Sequence, residues 1–241
     1  MRSYIVSMLM LISIVLYPQT SLAKKVYSPH AEQGEIALET QTDLFLDPDP
    51  TKNGKVRQQF ELEYGFFDWW KSGVYAVYEK PANRSNYDYT ATKWENIFVL
   101  PELSWLPVHW GLYGEYIWAA PSTNAADAVE GKLLVETELG DWKHTLNLTL
   151  KQVLSSAAPS ANFGYAWRSR VNVSGIDLAL EAYGSAGPFD QFLPLASQTH
   201  LIGPVVSFEP LEHVELEAGW LMDINAGPGY GDLKVNLEIE F

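Results

Sequence analysis

The final stretch of the chain, residues 231–241, alternates strictly between apolar and polar side chains. Period-two alternation is typical of a β-strand with one apolar and one polar face. The alternation runs to the last residue, so we expect the chain to end inside a strand. A terminal strand in an open sheet exposes unpaired backbone groups, whereas in a closed barrel the last strand pairs with the first. The stretch therefore favours a closed, antiparallel, all-β barrel.

The same stretch resembles the C-terminal assembly signal of bacterial outer-membrane β-barrel proteins. The resemblance is carried by alternating apolar residues and a terminal aromatic ring: Leu233, Val235, Leu237, Ile239 and Phe241. It departs from the commonest form of the signal in having no aromatic residue two positions before the end. The resemblance implies a transmembrane up-and-down barrel whose partners are outer-membrane lipid, the barrel assembly machinery and periplasmic chaperones. The chain is also similar to uptake barrels associated with aromatic-compound degradation in its length, its Trp- and Glu-rich strands and its terminal Phe.

The first 23 residues have the composition of a secretory signal peptide. Arg2 provides a positive start, residues 4–16 are apolar, and Ser21 and Ala23 are the small residues of a cleavage region. The alternative is a transmembrane helix anchor, but the apolar run is shorter than the roughly 20 residues that a bilayer requires. The sequence thus predicts a cleaved signal peptide at 1–23, a periplasmic lead-in at 24–34 and an outer-membrane barrel at 35–241.

Twelve alternating segments follow one another between residues 35 and 241, joined in turn by long polar loops and short turns. Outer-membrane barrels have an even number of strands, short periplasmic turns and longer outside loops. With both termini periplasmic, the long loops fall outside: 46–54, 81–87, 119–127, 154–162, 184–197 and 225–230. The phase of segments 88–100 and 198–208 stays open, because Asn96 would share an apolar face and Pro204 interrupts its strand. The competing interpretation is a soluble periplasmic sandwich or lipocalin-like barrel with its Trp residues buried.

The composition of the chain limits which partners it can bind and which covalent or metal-binding features it can have. The formal net charge of −14 at pH 7 would repel nucleic acid. The absence of Cys excludes disulfides, thiolate metal sites and a lipoprotein anchor. Nine Trp, thirteen Tyr and ten Phe suit the aromatic girdles of a membrane barrel.

If the apolar face meets lipid, the charged face lines the lumen. The lumen-lining candidates are Glu39, Glu61, Glu63, Glu95, His109, Glu115, Glu136, Arg168, Arg170, Asp177, Glu181, Glu215, Glu217 and Glu238. One interpretation is a pore that selects solutes by charge, with an acidic lumen that favours cations. The other is a salt-bridge network that fills a narrow barrel, in which Arg168 and Arg170 clamp neighbouring carboxylates. Eight strands leave room only for side chains and sixteen leave a channel, so twelve strands do not decide between them.

The sequence offers no convincing catalytic or metal-binding constellation. The five histidines lack metal-ligand spacing, so we expect no metal site and no cofactor. Ser155, Ser156, Ser160 and Asn162 share one loop without a nearby His, so we expect no enzyme. The leading hypothesis is a passive channel or uptake barrel for small solutes. The alternatives are a structural or surface-interaction barrel without transport and a lipid-modifying outer-membrane enzyme.

Overall fold

A computed structural model describes residues 24–102, 107–156, 158–226 and 229–241, so the predicted signal peptide lies outside the described residues. These residues form a closed barrel in which every strand pairs antiparallel with its neighbours in sequence and the last strand pairs with the first. The strands are β1 (Ile36–Leu46), β2 (Val56–Phe67), β3 (Trp70–Lys80), β4 (Asp88–Val99), β5 (His109–Ala119), β6 (Ala128–Leu139), β7 (Trp142–Val153), β8 (Asn162–Val173), β9 (Ile176–Pro188), β10 (Thr199–Leu211), β11 (Val214–Asp223) and β12 (Gly231–Glu240). Short 3₁₀ helices lie at Pro121–Thr123 and Leu195–Ser197.

The seam between β1 and β12 confirms the closure that the terminal alternation predicts. Leu38 lies opposite Ile239 and Leu44 lies opposite Leu233, so apolar residues of both strands share the outer face. The backbone N–H of Phe241 donates to the carbonyl of Ile36 at 2.9 Å, which pairs the last residue as well. The terminal strand therefore has no free edge.

The barrel has one end with tight turns and one end with longer loops, which we name the turn end and the loop end. Ser174 and Gly175, between β8 and β9, have φ values of 56° and 84°. Two successive positive φ values are those of a type I′ turn, which matches the twist of the strands it joins. The pairing of Ile36 with Phe241 places the start of β1 and the end of β12 at the turn end. Residues 47–55 join β1 to β2 at the loop end.

The outer face is apolar and rich in aromatic rings. Trp94, Trp118 and Trp142 keep 43–47% of their surface exposed, which a soluble domain with a tryptophan core would not allow. At the turn end, the rings of Phe66, Trp70 and Phe98 stack face to face at centroid distances of 4.5 and 6.2 Å. Exposed rings of this kind are typical of the girdle at a membrane interface. Within the described residues, no helix is both long and apolar enough to cross a membrane.

The sequence leaves open which faces of their strands Asn96 and Pro204 occupy, and local contacts explain both positions. Asn96 does face outward with Trp94 and Phe98, and its Oδ1 accepts a hydrogen bond from Trp70 Nε1 at 3.1 Å. Pro204 lies within β10, facing outward and exposed. The pairs between β10 and β11 stop at Ile202 and resume at Val205, which fits a residue without a backbone N–H. Neither residue changes the inward face of its strand.

Candidate functional site inside the barrel

Residues 24–34, which we name the inner segment, run through the interior of the barrel. At the loop end, Lys24 Nζ lies 2.8 Å from Asp232 at the start of β12. At the turn end, the N–H of Gly34 donates to the carbonyl of Gly65 at 2.8 Å, and Gln33 N–H donates to Asp68 Oδ1 at 3.0 Å. The interior position differs from the periplasmic lead-in expected from the sequence. The inner segment reaches from one end of the barrel to the other.

Tyr27 is the centre of the inner segment. Its backbone N–H donates to Asn147 Oδ1 at 2.7 Å, and its carbonyl accepts from Asn147 Nδ2 at 2.8 Å. The amide of Asn147 thus pairs with the segment as a neighbouring strand would. The rings of Tyr27 and Tyr113 lie 4.7 Å apart, and Lys132 Nζ sits 4.0 and 3.9 Å from their centroids. A cation held over two rings gains from both π faces, so Lys132 ties this part of the segment to β5 and β6.

Lys25 carries the positive charge of the inner segment into a group of carboxylates. Its ammonium forms an ion pair with Glu39 on β1 and lies 3.1 Å from Glu61 Oε2 on β2. Both carboxylates are buried, so this contact is shielded from solvent. On the far side of Tyr27, Ser28 Oγ donates to Glu136 Oε2 on β6 at 3.0 Å. The segment is therefore held to opposite walls of the barrel by polar groups.

An acidic belt runs around part of the inner wall. It consists of two runs of carboxylates, and within each run the carboxylates lie directly opposite one another on neighbouring strands. The first run is Glu215, Glu238, Glu39 and Glu61 on β11, β12, β1 and β2, and the second is Glu95, Glu115 and Glu130 on β4, β5 and β6, with β3 between the runs. Like charges placed directly opposite each other destabilise a sheet. Lysines offset part of this repulsion: Lys93 Nζ lies 3.3 Å from Glu115 and Lys132 Nζ lies 3.0 Å from Glu130.

A second charged cluster joins β8, β9, β11 and β12. Arg168 Nε donates to Glu181 at 2.5 Å, and its Nη2 donates to Glu217 at 2.6 Å. Lys234 Nζ lies 2.7 Å from Glu181 and 2.6 Å from Glu217. Because each carboxylate meets both cations, the four charges form a closed square. Strands β8 and β11 are not neighbours, so the contact between Arg168 and Glu217 reaches past β9 and β10 along the inner wall.

The predicted lumen residues divide by position. Eight are buried inside the barrel: Glu39, Glu61, Glu63, Glu95, Glu115, Glu136, Glu181 and Glu217. Five are half-buried on the same inner face: Arg168, Arg170, Asp177, Glu215 and Glu238. His109 differs, because it lies at the turn end of β5 with 54% of its side chain exposed and its Nδ1 3.2 Å from Glu102.

Sequence reasoning missed the residues that fill the centre, namely Lys25, Tyr27 and Asn147. The inner segment shows no alternation, and its contact with Asn147 spans 120 positions. One signal was available: carboxylates outnumber cations on the predicted inner face, so an additional cation was needed from elsewhere. The Lys24-Lys25 pair just before the first strand could have supplied it.

One histidine makes an ordered contact on the outer face near the loop end. His200 Nδ1 lies 3.1 Å from the Tyr165 hydroxyl, and its Nε2 lies 2.9 Å from Gln198 Oε1. The two rings lie over Gly184, where a Cβ would come within 2.1 Å of Tyr165. His200 therefore contacts the phenol of Tyr165 and not one of the loop serines that the sequence analysis considered as nucleophiles.

Similarity to known proteins is found at the level of the fold. Neither a protein-family profile nor a curated protein matches the sequence. A solved structure of the KdgM porin in complex with disordered oligogalacturonate is similar, with a TM-score of 0.55 and 8% identity over 86% of this chain and 98% of that one. The outer membrane protein Omp33 of Acinetobacter baumannii has a TM-score of 0.46 and 10% identity, covering 87% of this chain and 98% of that one. Outer membrane phospholipase A of Escherichia coli has a TM-score of 0.45 and 10% identity, covering 93% of this chain and 93% of that one. These solved neighbours are outer-membrane β-barrels.

Proposed function

We propose that this protein is a gated channel of the bacterial outer membrane that admits small cationic or neutral solutes and is closed by its inner segment. The observation that carries the proposal is the path of residues 24–34 through the barrel interior. A barrel of twelve strands is wide enough to need filling, since eight strands leave room only for side chains. Here the inner segment fills the barrel, and its withdrawal would leave a polar passage.

The proposed location rests on the outer surface and the fold. The exposed apolar belt, the stacked rings at the turn end and the closed sheet match what a bilayer requires of a barrel. The signal peptide at 1–23, the periplasmic route and the need for chaperones and assembly machinery remain predictions. Fractionation of membranes, with heat-dependent migration of the barrel on denaturing gels, tests the location directly.

The contacts of the inner segment suit a gate rather than a fixed core. Each strand is held by ladders of backbone hydrogen bonds on both sides, whereas the segment is held chiefly through side chains such as Asn147, Glu136 and Asp232. A typical hydrogen bond contributes about 0.5–1.5 kcal/mol net, because water replaces it when it breaks. A hydrated interior would offer such replacement. The segment can therefore leave while the ladders remain intact.

The charge of the interior sets the class of solute. Withdrawal of the inner segment removes Lys24 and Lys25 and leaves the acidic belt facing the passage. The similar KdgM porin was solved with oligogalacturonate, a polymer of acidic sugars. An acidic wall would repel such a polymer, so we assign this chain cationic or neutral solutes instead.

Planar-bilayer recording with a lockable gate tests the proposal. The chain has no Cys, so Ser28→Cys together with Glu136→Cys introduces a unique pair where two side chains now meet at 3.0 Å. A short, cleavable bifunctional thiol reagent would bridge this pair and hold the segment inside. We expect brief openings in the unbridged double variant, their loss after bridging and their return when the bridge is cleaved.

The unbridged double variant is the control for the loss of the Glu136 carboxylate. Equal conductance before and after bridging would show that ions pass around the segment and would refute the gate. Absence of any conductance, with the segment locked or free, would instead favour a structural barrel without transport.

A further inference from the structure

Three buried carboxylates converge on one glycine near the inner segment. Glu61 and Glu63 on β2 and Glu95 on β4 each place an oxygen within 4.8 Å of the others. Gly73 on β3 lies between them, opposite Glu63 on one side and Glu95 on the other. A Cβ at Gly73 would come within 2.4 Å of Glu61 Oε1 and 3.3 Å of Glu95 Cγ. Glycine is what leaves space for the carboxylates to meet.

Two of the oxygens in this space have no hydrogen-bond partner among the described residues. They are Oε1 of Glu61 and Oε1 of Glu95, and both are buried. The second oxygens are engaged, since Glu61 Oε2 meets Lys25 and Glu95 Oε2 accepts from the Tyr113 hydroxyl at 3.1 Å. A buried acceptor without a partner is costly, and more so when it is charged.

Nearby cations leave the group negative. Lys25 meets Glu39 and Glu61, and Lys71 Nζ lies 2.7 Å from Glu63. Four carboxylates, counting Glu95, thus share two ammonium groups, so with every carboxylate ionised the group has two uncompensated negative charges. One divalent cation would balance them.

We infer that Glu61, Glu63 and Glu95 form a binding site for a hard divalent cation, with Ca²⁺ as the best match. Carboxylate oxygens are the ligands that Ca²⁺ prefers, and its irregular coordination by six to eight oxygens tolerates ligands from two strands completed by water. Mg²⁺ demands a nearly ideal octahedron and keeps its water more firmly. The site does not depend on whether the barrel conducts.

Lys25 is the competitor of the bound cation. Its ammonium shares Glu61 with the site, so a divalent ion at Oε1 and the Lys25 charge at Oε2 repel each other. Removal of the Lys25 charge should therefore tighten cation binding, whereas removal of the Glu95 charge should weaken it. A residue that served only the fold would not produce these opposite effects.

Terbium luminescence on the refolded barrel tests the site, because Tb³⁺ replaces Ca²⁺ and is excited through nearby tyrosines such as Tyr113. We expect saturable luminescence that Ca²⁺ displaces, at least tenfold weaker binding in Glu95→Gln and at least threefold tighter binding in Lys25→Met. Glu138→Gln, the same change at a side chain that is 64% exposed at the turn end, is the matched control.

A structural failure is distinguishable from loss of the site. Glu95→Gln removes a like charge from the belt, so in the presence of chelator this variant should unfold at equal or higher denaturant concentration than the unaltered protein. Equal Tb³⁺ affinity in Glu95→Gln and the unaltered protein, or an equal loss in Glu138→Gln, would overturn the site. Gly73→Ala gives a second check, since its Cβ occupies the same space and should also weaken binding.

Discussion

Asn147 holds the backbone of Tyr27 through two hydrogen bonds, of 2.7 and 2.8 Å, although 120 positions separate the two residues. The side-chain amide is completely buried on the inner face of β7 and uses one donor and one acceptor in this contact, as a backbone peptide would. Asn147 thereby fixes the backbone of the inner segment at mid-barrel, beside the contacts that Lys25, Ser28 and the Tyr27 ring make with other strands. This relationship gives the most direct way to weaken the gate without changing its charge.

Asn147→Ala should favour withdrawal of the inner segment. The change removes both hydrogen bonds, and a loss of about 2 kcal/mol would shift the equilibrium between inserted and withdrawn segment by about 30-fold. Trypsin should then cleave after Lys25 faster, and channels should open more often in planar bilayers. Thr149→Ala, two residues further on the same buried face, is the control. Unchanged protection of Lys25 in Asn147→Ala would contradict the proposed anchor.

Lys25→Glu should open the channel more strongly than Asn147→Ala. The change places a fifth carboxylate beside Glu39, Glu61, Glu63 and Glu95, so attraction becomes repulsion on the inner wall. We expect longer openings and faster proteolysis of the segment. Lys52→Glu makes the same charge change in the exposed loop between β1 and β2 and should leave gating unaltered. A channel that stays closed in Lys25→Glu would show that charge does not hold the segment.

Ca²⁺ should raise the open probability of the unaltered channel. Binding of Ca²⁺ and insertion of Lys25 oppose each other, and by linkage each weakens the other by the same factor. The effect should disappear in Glu95→Gln and be much smaller in Lys25→Met. Recordings with Ca²⁺ and with chelator on the side of the loop end provide the measurement. Closure of the channel by Ca²⁺ would be the opposite of the expected effect on open probability. It would refute the competition between Ca²⁺ and Lys25, but it would not contradict the cation site itself.

Glu217→Gln and Glu215→Gln should differ although they lie two residues apart on β11. Glu217 is clamped by Arg168 and Lys234, so its neutralisation leaves these two inward cations with the single carboxylate of Glu181 between them and should cost on the order of 3 kcal/mol in the free energy of unfolding. Glu215 faces Glu238, so its neutralisation removes a repulsion and should be neutral or slightly stabilising. Denaturant unfolding of both variants measures the difference. Equal stabilities would show that the charged square does not stabilise the barrel.

The open channel should select cations. The belt carboxylates Glu215, Glu238 and Glu39 remain on the wall when the inner segment leaves, and in a narrow passage solutes stay within the screening length of about 8 Å at physiological salt. Reversal potentials in a salt gradient measure the preference. Anion selectivity in the unaltered protein would refute the acidic lumen.

The sequence was sufficient for the barrel because its information is local. Period-two alternation in stretches such as 231–241 assigns every residue to a face, and the turn at Ser174-Gly175 sets the register of β8 against β9. What fills the interior could not be read in this way. Lys25 and Tyr27 belong to a short segment without periodicity, and their partners lie on distant strands. The Glu61, Glu63 and Glu95 group depends on the space over Gly73 in the intervening strand, which only the folded sheet reveals.

The inner segment touches both sides of the seam that closes the barrel. Lys25 pairs with Glu39 on β1, while Lys24 pairs with Asp232 on β12 and its carbonyl accepts a hydrogen bond from Lys234 at 3.2 Å. The last of these contacts joins residues 210 positions apart, at the two extremes of the described chain. The segment can make both sets of contacts at once only when β12 lies beside β1. The full set of contacts of the inner segment therefore belongs to the closed barrel, so that the segment bridges the one junction of the sheet that no turn of the chain connects.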